Sequence, residues 1–166
     1  MLVVFFIILL ALLLVLPVWW WRGAPFLPTD PRKISRIIRL AGIQPGEQVV
    51  DLGSGDGRLV IACARAGANV IGLELNPFLV WLSRLLVRQA RVQERAMVRR
   101  VNFWHQDLSN FSLVLVFGVG GRMMQELEAK LQQELKVGSR VVSNGFQLPT
   151  WPLAARDGSL YLYRKK

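Results

Sequence analysis

The hydrophobic pattern changes character after residue 21. Met1 to Trp21 holds 20 apolar residues and one proline, Pro17, without a single charge. Beyond it, short apolar runs alternate with stretches whose apolar positions recur at helical spacing. Asp30-Pro31 is suited to open a helix, with Asp as the cap and Pro at the first helical position. Ile34, Ile37, Ile38 and Ala41 continue it, and Gly42 is placed to end it. Pro45-Gly46 marks a turn. Gln48 to Leu52 predicts a strand, Gly57 to Ala66 a helix, and Asn69 to Leu73 a second strand followed by Glu74. Pro77 opens a long helix predicted to run to about Val98. Val101 to Trp104 and Leu113 to Phe117 predict the third and fourth strands. Met123, Met124, Leu127, Leu131 and Leu135 mark another helix. Arg140 to Ser143 predicts a fifth strand, and Ser159 to Tyr163 a last one.

Apolar strands alternating with helices imply a mostly parallel sheet covered on both faces. Right-handed crossovers make this an α/β, doubly wound, Rossmann-like fold, with ligands beyond the carboxyl ends of the strands. The expected division is a transmembrane anchor over 1–21, a juxtamembrane linker over 22–30 and a single α/β domain over 31–166.

Twenty apolar residues at about 1.5 Å each span the ~30 Å hydrocarbon core. Trp19, Trp20 and Trp21 stand where an interfacial aromatic belt belongs. A cleaved signal peptide fits less well, because no basic residue precedes Arg22 and bulky tryptophans occupy the place of small cleavage-site residues. Arg22, Arg32, Lys33, Arg36 and Arg39 follow the span, so the positive-inside tendency puts the domain on the cytoplasmic side as a single-pass membrane protein. All 21 basic and 11 acidic residues lie after residue 21, for a net charge of +10. One cysteine, Cys63, excludes a disulfide framework and a cysteine-rich zinc site, and no metal site is expected.

The chemistry concentrates in Val49-Val50-Asp51-Leu52-Gly53-Ser54-Gly55-Asp56-Gly57-Arg58. A strand ends in an acid, and glycines alternate before a helix. Glycine lets a ligand approach the backbone closely. The spacing is G-x-G-x-G, not the G-x-G-x-x-G of a dinucleotide site. An acid beside the loop disfavours a pyrophosphate and favours a ligand with a positive end. Glu74, 21 residues after Gly53, occupies the position from which a carboxylate accepts ribose hydroxyls. Asp107 follows the predicted third strand.

These residues resemble class I S-adenosylmethionine-dependent methyltransferases, whose motifs are matched by VVDLGSGDGR (49–58), VIGLELNP (70–77) and HQDL (105–108). The resemblance implies S-adenosyl-L-methionine as cofactor. It implies that Asp51 with Gly53, Ser54, Gly55, Asp56 and Gly57 borders the methionine end. Glu74 would bind the ribose with Leu75 and Asn76 beside it, and Asp107 and the Leu108 backbone would hold adenine. Phe26-Leu27-Pro28-Thr29 is similar to a segment that some members fold over the cofactor, with Thr29 in contact. Within this family the chain resembles small membrane-anchored protein-lysine methyltransferases, similar to those acting on the c subunit of ATP synthase. It departs from them at Phe117-Gly118-Val119-Gly120-Gly121, where such members often carry a Leu-Pro-Glu-like element.

The acceptor side is read from position alone. Phe117, Asn144 and Trp151, beyond strands four and five, are the candidate acceptor contacts. No Asn/Asp-Pro-Pro-aromatic element follows strand four, so base or amide methylation loses weight, and the short core suits a protein or lipid substrate. The expected function is methylation of lysine on a membrane-associated protein. A lipid or quinone methyltransferase and an inactive cofactor-binding membrane module are the alternatives. Arg84, Arg88, Arg91 and Arg95 recur along the predicted long helix, either as a solvated face or as a contact for anionic lipid headgroups. Nucleic acid is a weaker partner, since aromatics do not interleave with this stripe. His105, Cys63, Met123 and Met124 are expected to be structural.

Overall fold

The computed structural model describes residue 6, residues 27–117 and residues 120–166. The expected membrane span and most of the linker lie outside these. Among the described residues, no helix is long and apolar enough to cross a membrane.

The chain folds as α1 (Pro31–Ala41), β1 (Gln48–Leu52), α2 (Arg58–Arg65), β2 (Asn69–Glu74), α3 (Pro77–Gln89), β3 (Ala96–Arg100), a 3-10 turn (Phe103–His105), β4 (Leu113–Phe117), α4 (Arg122–Glu134), β5 (Arg140–Asn144), β6 (Leu153–Asp157) and β7 (Leu160–Arg164). The sheet order is β3-β2-β1-β4-β5-β7-β6. The first five strands in that order are parallel; β7 is antiparallel to β5 and β6 to β7. The order reverses between β1 and β4, so the crevice beyond their carboxyl ends is the natural ligand site.

Alternation along each strand feeds two cores. Val49, Leu113, Leu115 and Val142 face α1, α2 and α3 with Ile37, Val60 and Val80. Val50, Val114, Val116 and Val141 face the opposite side with Leu108, Leu127, Trp151 and Tyr163. Cys63 is fully buried in the first core, where desolvation pushes its thiol pKa up and leaves it a packing residue. Asp30 caps α1 by accepting from the Arg32 N–H at 2.8 Å, and Gly42 closes it at φ +59°. Glu47 and Arg140 pair beneath it, and Arg140 also donates to the carbonyls of Ala41 and Gly42.

The structure corrects the sequence expectation between residues 89 and 105. α3 ends at Gln89, and the third strand is Ala96–Arg100 instead of Val101–Trp104. The Arg91 N–H donates to the Arg88 carbonyl and the Val92 N–H to the Val87 carbonyl, the bond pair of a Schellman cap. Its left-handed residue is Arg91, at φ +57°. Glycine ordinarily takes that position, so the stop carries no glycine signal. Val87 and Val92 seal the cap by packing against the same core. Arg91, Arg95, Arg99 and Arg100 therefore do not extend one helical stripe. The last hairpin also has a strand that the pattern did not predict: β6 is a sheet edge whose residues are mostly exposed, so it lacks an apolar run.

Candidate cofactor and acceptor site

The segment after β1 is hooked onto β2. The N–H groups of Gly53 and Ser54 both donate to the Leu73 carbonyl, at 2.9 and 3.0 Å. Gly53, Gly55 and Gly57 all adopt positive φ, at +76°, +56° and +79°. A Cβ on Gly57 would lie 2.8 Å from the Ser83 Cβ, so this glycine lets α2 start against α3. A Cβ on Gly53 would meet nothing within 4 Å, so the space above it is open to a ligand. Gly72, which the motif reading did not single out, matters as much. A Cβ there would fall 2.6 Å from the Ser54 Oγ and 2.8 Å from the Val60 Cγ2. Only a bare β2 backbone allows the loop to pack down.

Glu74 organises this loop. Its Oε2 accepts from the Gly55 N–H at 2.9 Å, and its Oε1 from the N–H groups of Leu75 and Asn76 at 2.8 and 2.7 Å. A carboxylate offers about four acceptor positions. Three are filled, so one further hydroxyl fits while every backbone bond is kept. Asn76 caps α3 by accepting from the Phe78 and Leu79 N–H groups.

Asp51 is the opposite case. It is 5% exposed, and no hydrogen-bond donor reaches its carboxylate among the described residues. Burial, then the nearby charges of Glu74 and Asp56, pushes its pKa up to about 7. A cationic ligand end beside it would restore the ionised form. The Ser54 Oγ, also buried, has no partner among the described residues. An open cradle, a bare carboxyl and a free hydroxyl are a donor set that fits the methionine end of S-adenosylmethionine.

Other predicted residues turn out to be braces. Asp56 grips the Arg58 guanidinium, with contacts of 2.6 to 3.0 Å, and Arg58 Nη1 donates to the Thr29 carbonyl at 2.9 Å. Asp56 thus ties the chain before α1 to the glycine loop. Of the Leu108 backbone expected beside adenine, the N–H donates to Glu134 Oε2 at 2.9 Å. Asp107 is exposed and accepts from the Ser109 N–H and hydroxyl, which hold its carboxyl below the usual range.

On the acceptor side, register decides which candidates meet. Asp51 pairs with Leu115, Leu115 with Val142, and Phe117 with Asn144. Odd-numbered residues of β1 and β4 and even-numbered residues of β5 share one face, so Asp51, Phe117 and Asn144 project on the same side. Asn144 is 3% exposed, and neither its Oδ1 nor its Nδ2 has a partner among the described residues. Phe117 and Phe146 are partly exposed nearby, and a Cβ on Gly145 would touch the Phe117 ring at 3.4 Å. Trp151 is not part of this group. It packs on Tyr163 and donates its indole N–H to the Arg164 carbonyl at 3.2 Å. Arg164 pairs with Arg140, at the start of β5, so Trp151 is a core residue at the opposite end of the sheet. The segment after β5 descends the whole sheet before β6 begins, a path that proximity in sequence does not reveal.

Residues 51–155 match the ANTKMT methyltransferase domain, more than half of the sequence. The chain belongs to this methyltransferase family. It is 41% identical to an adenine nucleotide translocase lysine N-methyltransferase of Mus musculus over 81% of this chain and 58% of that protein. It is 31% identical to a protein-lysine N-methyltransferase of Saccharolobus islandicus over 84% of this chain and 92% of that protein. The chain spans little more than half the length of the mouse relative. A crystal structure of an RNA methyltransferase from Salinibacter ruber, in complex with S-adenosyl-L-homocysteine, superposes with a TM-score of 0.76 at 30% identity, covering 84% of this chain and 92% of that one. The domain is thus an S-adenosylmethionine-dependent methyltransferase domain with the family's seven-stranded sheet, and its cofactor is S-adenosylmethionine.

Proposed function

We propose that this protein methylates the side-chain amine of lysine on a membrane-associated protein, working from a single-span anchor at residues 1–21. The likeness to protein-lysine N-methyltransferases carries this reading, above all the relative matched over 92% of its length. The mouse relative named for the adenine nucleotide translocase supports a membrane-associated acceptor. The partly exposed rings of Phe117 and Phe146 beside Asn144 support an acceptor presented by a larger partner.

In this reading Asp51 and the Gly53–Gly57 loop hold the methionine end, with Glu74 on the ribose and Leu75 and Asn76 beside it. Asp107 lies at the adenine side. Thr29 acts through Arg58 to fix the chain above the loop. When bound, the cofactor supplies an activated sulfonium methyl group. The rest is positioning. The acceptor amine attacks with its lone pair, so it must be neutral although its ordinary pKa is about 10.4. Phe117 and Phe146 desolvate the amine and lower that value. The buried Asn144 amide oxygen is placed to accept one N–H and aim the lone pair. The proton released on N-methylation leaves to solvent.

Incubating native membranes with the full chain and methyl-labelled S-adenosylmethionine tests this directly. Label is expected on protein and, after hydrolysis, in methyl-lysine. Label confined to the lipid fraction would instead support the lipid or quinone alternative. Cofactor binding without any label would support an inactive binding module.

A further inference from the structure

The α3 helix leaves an apolar ridge that neither the site nor the core uses. It buries Leu79, Val80, Ser83 and Val87 against the sheet. Phe78, Trp81 and Leu85 remain exposed at 62%, 60% and 40%. Spacing of three and four residues puts them in one line along the helix. The two rings stand 5.9 Å apart. Single exposed apolar residues need no explanation, but a row containing two aromatics marks an interaction surface.

The stretch of chain that carries this ridge is strongly basic. Residues 77–100 contain six arginines and one acid, Glu94. All six arginines are exposed, and none takes part in an ion pair among the described residues. Arg84 and Arg88 lie on α3 itself, and Arg84 Nε donates to the Val98 carbonyl, which holds the helix to the edge strand β3. Apolar side chains flanked by unpaired arginines match the boundary between acyl chains and anionic headgroups. The ridge also begins four residues after Glu74, at the ligand end of the sheet.

We propose that the α3 ridge docks on an anionic bilayer surface. Phe78, Trp81 and Leu85 enter the headgroup–acyl boundary while the arginines meet lipid phosphates. This rests on the membrane location proposed above and adds to it an orientation. The tether restricts the domain to the membrane, and the ridge turns its cofactor end toward the bilayer, where a lysine at the membrane surface becomes reachable.

The test uses the full chain with vesicles containing brominated phosphatidylcholine, with or without phosphatidylserine. Tryptophan quenching is compared between the natural sequence and Trp81→Phe, so that the difference reports Trp81 alone. Flotation with the vesicles reports the anchor separately, and titration with S-adenosylhomocysteine reports the fold. The difference signal is expected to be quenched about twofold more strongly with phosphatidylserine than without, and to lose that excess in Arg84→Glu/Arg88→Glu and at high salt. Flotation with an unquenched Trp81 would overturn the ridge and leave the anchor standing; absence of flotation would overturn the anchor. Equal quenching in both vesicles would overturn the anionic preference. A Trp81 signal already shielded without vesicles would point to another part of this chain or a second copy. Quenching by single-stranded RNA that vesicles cannot displace would assign the ridge to nucleic acid.

Discussion

At the ends of β1 and β2, side chains exist to hold backbone: Glu74 accepts three N–H groups, and Asp56 with Arg58 reaches back to Thr29. At the ends of β4 and β5, the buried Asn144 amide holds nothing among the described residues, and partly exposed aromatics stand beside it. One half of the site is fixed before any ligand arrives. The other carries unmet polar capacity beside partly exposed rings. A shared cofactor calls for the first arrangement, and an acceptor that differs between enzymes calls for the second. Asp51 lies between the two halves, buried and without a donor among the described residues, in the face that also carries Phe117 and Asn144.

The largest expected effect comes from Asp51. Its folded pKa of about 7 lies above the ordinary aspartate value, so the unfolded chain ionises first. Stability relative to Asp51→Asn should therefore be highest in acid, fall as pH rises through about 7, and be flat above it. The difference is on the order of a few kcal/mol. Melting of both proteins without cofactor between pH 4 and 9 checks this; parallel curves would place Asp51 in a polar environment. A cationic ligand favours the carboxylate, so affinity for the cofactor should rise over the same interval in the natural sequence and lose that rise in Asp51→Asn.

Gly72→Ala comes next. The added methyl collides with Ser54 and Val60, costing about 2 kcal/mol of stability as overpacking. It should also lift the loop from β2, so cofactor affinity should fall even where the protein remains folded. Chemical denaturation and a binding titration on the same sample separate the two effects.

Asn144→Leu should act in the opposite sense. It removes two buried polar atoms that lack partners, so stability should rise by about 1 kcal/mol. Methyl transfer should nevertheless fall, which is the trade-off expected of a site that stores unmet polar capacity. A loss of stability would mean that the amide is satisfied in solution. The smallest effect belongs to Arg58→Ala, about 0.5–1 kcal/mol, since the Asp56–Arg58 pair is partly exposed. Its signature is faster hydrogen exchange before α1 with the core unchanged.

The two halves also differ in how far the sequence reveals them. Around β1 and β2 the glycines, the capping residues and the acids are consecutive or one crossover apart, and each has a local physical reason. The α3–β3 connection was not legible, because Arg91 takes a left-handed position without glycine and residues 90–100 favour helix as much as strand. Gly72 is visible only when β2 and the loop are packed together. The Leu108 N–H looked available because its partner, Glu134, stands 26 residues away on α4. Trp151 looked like an acceptor contact because the descent of the chain after β5 leaves no mark in residues 145–152.

Measuring cofactor binding and methyl transfer side by side for Glu74→Ala and Asn144→Leu tests this division of labour most directly. The account predicts that Glu74→Ala weakens S-adenosylmethionine binding about 100-fold, since it removes a charged acceptor from three N–H groups and from the ribose hydroxyl proposed to join them. Asn144→Leu is predicted to bind the cofactor as the natural sequence does while methyl transfer to lysine is lost. Unimpaired binding by Glu74→Ala, or full transfer by Asn144→Leu, would contradict it.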